Sequence, residues 1–151
     1  MGKAGNLLFT SVILTTLLLL TGCTRNVTEE NHYHENGATV FVDYVTAYKE
    51  DWSIYGTPGV MGCYMYQTFK FPEITKAVLD NGFVLAFLVD DSTVDGRDNI
   101  LPFILPYNGG ITENIRYDYE KGKLTIIIES TDFMIYSRTG SLIFKVCILY
   151  P

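Results

Sequence analysis

LIFKVCILY, residues 142–150, is the stretch on which the fold turns. Leu142, Phe144, Val146, Ile148 and Tyr150 fall on one side of an extended chain, and Lys145 and Cys147 on the other. Side chains of a strand alternate between faces, so an unbroken apolar row at a period of two marks a strand laid on a core.

The same period recurs upstream. Val40, Val42 and Tyr44 alternate with Phe41, Asp43 and Val45, and Met61, Cys63 and Met65 alternate with Gly62, Tyr64 and Tyr66. Residues 83–89, FVLAFLV, are continuously apolar, which predicts a strand buried on both faces. Residues 100–105 hold Pro102, which suits a sheet edge or a bulge. Residues 115–119 and 124–128 flank EKGK, where Gly122 can supply the positive φ of a tight hairpin. One segment departs from this rhythm. Residues 71–82, FPEITKAVLDNG, predict a short helical turn near residues 73–80, with Pro72 at its start, Glu73 in its first turn and Gly82 as a left-handed stop. Ile74 and Val78 would face the core, and the turn would carry the chain from one sheet to another. The expected fold is all-β: an antiparallel β-sandwich of about seven strands over residues 38–151. A small closed barrel is the rival arrangement. The immunoglobulin pattern is absent, since Trp52 precedes Cys63 instead of lying between two cysteines.

The chain begins differently. Lys3 precedes an apolar run at residues 7–20, shorter than the about 20 residues that a membrane-spanning helix needs. The run ends in Leu20-Thr21-Gly22-Cys23. This order is a secretory signal, and the cysteine after small residues resembles the lipobox of bacterial lipoproteins. The resemblance implies cleavage by signal peptidase II before Cys23, recognition through Leu20, Thr21 and Gly22, and acylation of Cys23 with palmitate-type chains. The alternative is an ordinary secretory signal whose cysteine is incidental. N-myristoylation at Gly2 fails, because Asn6 stands where that pattern needs Ser or Thr.

Residues 1–22 are thus expected to be a signal peptide, and 23–37 a lipidated cysteine with a flexible polar tether. Without Lys3, the only charge in the first 22 residues, ten basic and 17 acidic side chains remain, net −7. That balance argues against nucleic acid as a partner. His32 and His34 in the tether make a poor metal site without a third ligand. Glu29 and Glu30 partly resemble the acidic surface-export signal of Bacteroidetes lipoproteins, but stand six residues beyond Cys23.

The order Trp52, Tyr64 and Tyr66, Pro72-Glu73-Ile74-Thr75, Val78-Leu79-Asp80-Asn81-Gly82, Leu101-Pro102 and Phe144-Lys145-Val146 resembles a group of small Bacteroidetes lipoproteins. Many of that group carry collagen-like repeats after the cysteine, and this chain does not. The resemblance covers most of residues 40–150. It implies an all-β domain at the cell envelope and no catalytic activity.

Few side chains offer chemistry. No histidine follows His34, so a Ser-His-Asp or Cys-His arrangement inside the folded part would need His32 or His34 to fold back. No Gly-rich phosphate loop occurs. The acids Glu50, Asp51, Asp80, Asp90, Asp91, Asp95, Asp98, Glu120 and Asp132 sit in or beside turns and read as solvated. Within residues 90–99, DDSTVDGRDN, Asp91, Asp95 and Asp98 are the metal candidates for Ca²⁺, although Pro102 stands where an EF-hand loop needs its bidentate Glu. Asp91-Ser92-Thr93 resembles an O-glycosylation acceptor of Bacteroides-type envelopes, with Ser92 as the attachment point. Cys63 and Cys147 are a candidate disulfide in an oxidising envelope, with buried free thiols the alternative. Of the aromatics, Trp52, Tyr55 and Tyr107 lie beside turn signals and are expected to be exposed, available to stack on sugars or a protein partner.

The functional expectation is a lipid-anchored outer-membrane lipoprotein, on the cell surface or in the periplasmic leaflet. It binds, adheres or supports the envelope, is not an enzyme and uses no cofactor. Its partners are the membrane through acylated Cys23 and a glycan or protein ligand. A glycan-binding or glycan-processing accessory module, and a Ca²⁺-dependent binding module, are the alternatives.

Overall fold

The computed structural model describes residues 31–35, 38–90, 97–136 and 140–150. Among these residues the chain forms ten strands and one short helix. In chain order they are β1 (Asn31–Glu35), β2 (Ala38–Ala47), β3 (Ser53–Tyr55), β4 (Tyr64–Lys70), α1 (Lys76–Asn81), β5 (Phe83–Asp90), β6 (Arg97–Ile100), β7 (Phe103–Pro106), β8 (Thr112–Glu120), β9 (Lys123–Ser130) and β10 (Leu142–Tyr150). Sheet A runs β1-β2-β10-β5-β6 and sheet B runs β3-β4-β9-β8-β7, every pairing antiparallel. The fold is the expected β-sandwich.

Its core follows from the alternation in sequence. Phe41 and Val45 of β2, Phe144, Val146 and Ile148 of β10, and Val84, Ala86 and Leu88 of β5 point inward from sheet A. Met65 of β4, Leu124, Ile126 and Ile128 of β9 and Ile115 of β8 meet them from sheet B. Among the described residues, every buried member of this cluster lies between Phe41 and Ile148. Tyr117 of β8 crosses the interface between the sheets, donating its hydroxyl to the Val84 carbonyl of β5 at 2.8 Å.

Four connections pass between the sheets. The β4–β5 passage is the predicted helical one, with Ile74 and Val78 buried in the core. The helix starts later than Pro72 and Glu73 suggested. Thr75 is its N-cap, its hydroxyl accepting from the Val78 amide at 3.4 Å, and it supplies the side-chain oxygen that neither upstream residue places there. Gly82 is not a left-handed stop either, since its φ is −111°. Glycine is needed for space: a Cβ there would lie 2.2 Å from the Leu149 carbonyl oxygen. The hairpin between β8 and β9 turns at Lys121 and Gly122, and Gly122 has φ +77° as expected. Its amide donates to the Ile74 carbonyl and its carbonyl accepts from Phe71, both at 2.9 Å, so the hairpin tip is stitched to the helical passage.

Other expectations change. Residues 31–35 of the supposed tether form β1, paired along β2 from Asn31 opposite Val42 to Glu35 opposite Ala38. A strand edge offers main-chain donors and acceptors, and pairing with it needs no apolar period. The segment 100–105 is not one strand. It breaks at Leu101-Pro102, a cis peptide, where the chain leaves β6 in sheet A for β7 in sheet B. Met61 lies in a turn, 83% exposed, and β4 starts only at Tyr64. Residues 83–89 are buried on one face only: Val84, Ala86 and Leu88 are inside, while Phe83, Leu85, Phe87 and Val89 lie on the outer face of sheet A. Among the described residues no third sheet packs over that second face.

Candidate functional site

The outer face of sheet B gathers polar and aromatic side chains. Register sets them out in rows. Tyr55 lies opposite Tyr64, Tyr66 opposite Ile127 with Arg116 beyond, and Thr68 opposite Thr125 with Asp118 beyond. Tyr64 is the hub. Its ring stacks on Tyr55 at a centroid distance of 4.9 Å and an interplanar angle of 18°, and meets Tyr66 edge-on at 6.1 Å. The Arg116 guanidinium lies 5.9 Å from the same ring centre. Such contacts hold rings in fixed orientation, because the negative ring face attracts a cation or a positive ring edge. Ile127 points to this outer side yet is buried beneath the layer.

A hollow of about 450 Å³ opens over these residues. Tyr55, Tyr64 and Tyr66 form one wall, and Asp118 and Glu120 of β8 line it on the far side. Thr68 and Thr125 lie between them, their hydroxyls hydrogen-bonded to each other at 2.9 Å. Asp118 approaches Arg116 at 3.3 Å and Glu120 approaches Lys123 at 3.1 Å. Their side chains are 68% and 71% exposed. The groove offers flat rings on one side and exposed hydrogen-bond acceptors on the other.

A second hollow of about 390 Å³ lies under Trp52, Ile54, Met65 and Ile135. Trp52 is not exposed as expected. It is half-buried against the core and its Nε1 is buried. The neighbouring turn is organised by Asp132, whose carboxylate accepts from Ser130 at 2.6 Å, from the Met134 amide at 3.1 Å and from the Tyr136 hydroxyl. The bonds from Ser130 and Tyr136 hold the Asp132 carboxyl below its ordinary range.

The other sequence candidates scatter. Tyr55 and Tyr107 are exposed, as expected, and the Tyr107 hydroxyl donates to Glu113 at 2.9 Å. Asp98 is taken by Lys145 of β10, while Asp91, Ser92 and Asp95 lie outside the described residues. Among the described residues no three His, Cys, Asp or Glu side chains gather around a common point for a metal ion. Cys63 and Cys147 are both free thiols. Cys63 is buried just before β4 of sheet B, and Cys147 points outward from sheet A, away from the core. That placement forbids the disulfide. Leu20, Thr21, Gly22 and Cys23 lie outside the described residues, and no described helix is long and apolar enough to cross a membrane.

Sequence reasoning missed two acids. Asp43 and Glu113 are buried on the inward faces of β2 and β8. Their parity was readable, since Asp43 alternates in step with Phe41 and Val45, and Glu113 stands two residues before Ile115. It also missed Tyr64 as the centre of the platform, although its spacing with Tyr66 was legible.

Comparison with known proteins finds no family model that matches the chain, and no match among curated proteins or solved structures.

Proposed function

We propose that this chain is a non-enzymatic, lipid-anchored lipoprotein of the outer membrane whose sheet-B face binds glycans. The observation that carries the binding reading is Tyr64, fixed between Tyr55, Tyr66 and Arg116 at the rim of an open groove. A sugar ring presents flat C–H faces and a rim of hydroxyls. The C–H faces stack on tyrosine rings, while Asp118, Glu120 and the Thr68–Thr125 pair accept or exchange hydrogen bonds with the rim. Ring orientation is set before the ligand arrives, which lowers the ordering cost of binding. The exposed, ion-paired state of Asp118 and Glu120 favours binding over hydrolysis.

The anchoring part rests on Leu20-Thr21-Gly22-Cys23 after the apolar run, and the envelope setting on the resemblance to small Bacteroidetes lipoproteins. Two experiments test the reading. Residues 24–151 are passed over immobilised neutral glycans, with Tyr64→Ala beside the parent chain. Retention should fall at least about tenfold in the variant, as for truncation of a central aromatic anchor; failure to bind any glycan, or retention indifferent to Tyr64→Ala, overturns the glycan reading. Separately, the full-length chain should take up labelled palmitate, and Cys23→Ala should abolish the label and leave the leader uncleaved, read as a larger mass. A parent chain that takes no label, or a variant that keeps it, overturns the anchor.

A further inference from the structure

The outer face of sheet A is mostly apolar across β2, β10 and β5, with Tyr44, Thr46 and Lys145 as its polar members there, and β6 adds Ile100 and Asp98 at the edge. Register places Val42, Cys147 and Leu85 in one row over β2, β10 and β5, and Phe87 and Ile100 in the next over β5 and β6. Ile100 is 55% exposed and Phe83, two rows away on β5, is 46% exposed. The one cation of β10 on this face is Lys145. It is ion-paired to Asp98 of β6 and lies 4.8 Å from the centre of the Phe87 ring, so its charge is neutralised within the same chain.

With strands about 4.8 Å apart and same-face residues about 6.8 Å apart along each strand, four rows on β2, β10 and β5 and two positions on β6 cover on the order of 450 Å². That lies within the range of the largest patch a monomer leaves open. Two such faces together bury about 900 Å², close to the about 1,000 Å² at which a specific interface begins. Folding does not require this face to be apolar, because it takes no part in the core.

We propose that the face is covered by a second copy of this chain, outer sheet A against outer sheet A. Three observations favour a copy over other occupants. The face is sheet-like and apolar, and a second sheet of the same kind packs on it about 10 Å away, as the two sheets already do inside each sandwich. The chain carries net −6, which disfavours an anionic lipid surface, yet the Lys145–Asp98 pair described on this face is closed, so two copies meet here without an open charge from that pair. β10 is the middle strand of β1-β2-β10-β5-β6, and a two-fold arrangement centred on it stacks β10 on its own copy. The resulting four-layer assembly leaves both tyrosine grooves on its outside, pointing in opposite directions. The inference does not depend on what those grooves bind.

Cys147 provides the test. Stacking β10 on β10 brings the two thiols to about the inter-sheet distance of 10 Å. Cells expressing the full chain are treated with a short bis-maleimide, and residues 24–151, which contain every described core residue, are examined by sedimentation equilibrium. The expected results are a covalent dimer that Cys147→Ser abolishes, and a dimer in solution whose dissociation constant rises at least about a hundredfold in Leu85→Asp, which places an unpaired carboxylate in the contact. Ile100→Lys, at the rim of the face, gives the same direction if Leu85→Asp does not fold; circular dichroism checks both. A single-copy mass at about 100 µM together with no Cys147 crosslink in cells overturns the proposal. So does a dimer indifferent to both variants. Leu85-dependent binding of the single copy to phosphatidylcholine vesicles would assign the face to a lipid surface instead.

Discussion

On sheet A the side chains that point away from the core are mostly valines, leucines, isoleucines and phenylalanines, with Tyr44, Thr46, Cys147 and the Lys145–Asp98 ion pair among them. On sheet B they are tyrosines, threonines, an arginine and carboxylates around a groove. Apart from the buried Asp43, Gln67, Glu113 and Ser130, the inward faces of the two sheets are alike, both rows of aliphatic residues with an occasional aromatic. Folding constrains the inward faces, because they must fill one core at close-packed density. It leaves the outward faces free, so their divergence reports what each sheet meets outside. The aliphatic face suits a flat apolar partner. The tyrosine face suits a ligand with both flat and polar surfaces.

The largest expected effect comes from removing what the faces share. Phe144 of β10 is fully buried between the sheets. Phe144→Ala should cost about 3–5 kcal/mol in chemical denaturation, and glycan retention and Cys147 crosslinking should be lost together. If one readout survives, the two faces do not depend on one core and the comparison is wrong at its base.

Gly82→Ala separates the faces. The added Cβ would collide with the Leu149 carbonyl of β10, which must shift. The expected cost is about 1–3 kcal/mol. The disturbance falls on sheet A, so crosslinking through Cys147 should fall while Tyr64-dependent binding persists. The opposite pattern would mean that the helical passage supports sheet B, through the hydrogen bonds between Gly122 and residues 71 and 74.

How far the two faces were legible in sequence differs for a physical reason. β10 and the β8–β9 hairpin were readable to within three residues, because alternation and Gly122 are local signals. β1 and β3 were not. They are held by edge pairing, and Asn31–Glu35 and Ser53–Tyr55 carry no apolar row of their own. The break at Leu101-Pro102 was read as an edge or bulge, since a proline marks an interruption but not which sheet the chain enters next. On the outer faces, tyrosine clustering was visible as composition, yet Tyr64 as a hub depends on register with β3 and β8. The apolar character of sheet A's outer face hid in FVLAFLV, which reads equally as a strand covered on both sides. Of the two readings of Cys63 and Cys147, the free thiols hold and the candidate disulfide does not; parity placed Cys147 opposite the main apolar row, and only the assembled sheets show that this side is the exterior.

Tyr117→Phe tests the link between the sheets. It removes the hydroxyl that bonds to the Val84 carbonyl and should cost about 1 kcal/mol. Burial, with the neighbouring Tyr119, raises the Tyr117 phenol above its ordinary value. A raised acid holds its proton longer in the folded state than in the unfolded one, so its contribution is present below pH 10 and is lost as pH rises through the folded value. The variant should therefore lose less stability between pH 9 and 11 than the parent chain, read as the slope of denaturation midpoint against pH.

The smallest effect is a rate. The Cys147 thiol is raised by burial on sheet A, and nearby Lys145 opposes that shift without cancelling it. The thiolate is the nucleophile, so at neutral pH Cys147 should react with iodoacetamide more slowly than an exposed cysteine, and the rate should climb into alkali. Buried Cys63 is the internal reference, because it reacts only when the domain opens. In a lone domain the Cys147 rate is independent of protein concentration. If sheet A meets a copy of itself, the rate falls as concentration rises, and Leu85→Asp removes that dependence. A Tyr64→Ala domain should show the same concentration dependence as the parent. Joint loss of it in both variants would mean that the two outer faces are coupled through the core instead of serving separate partners.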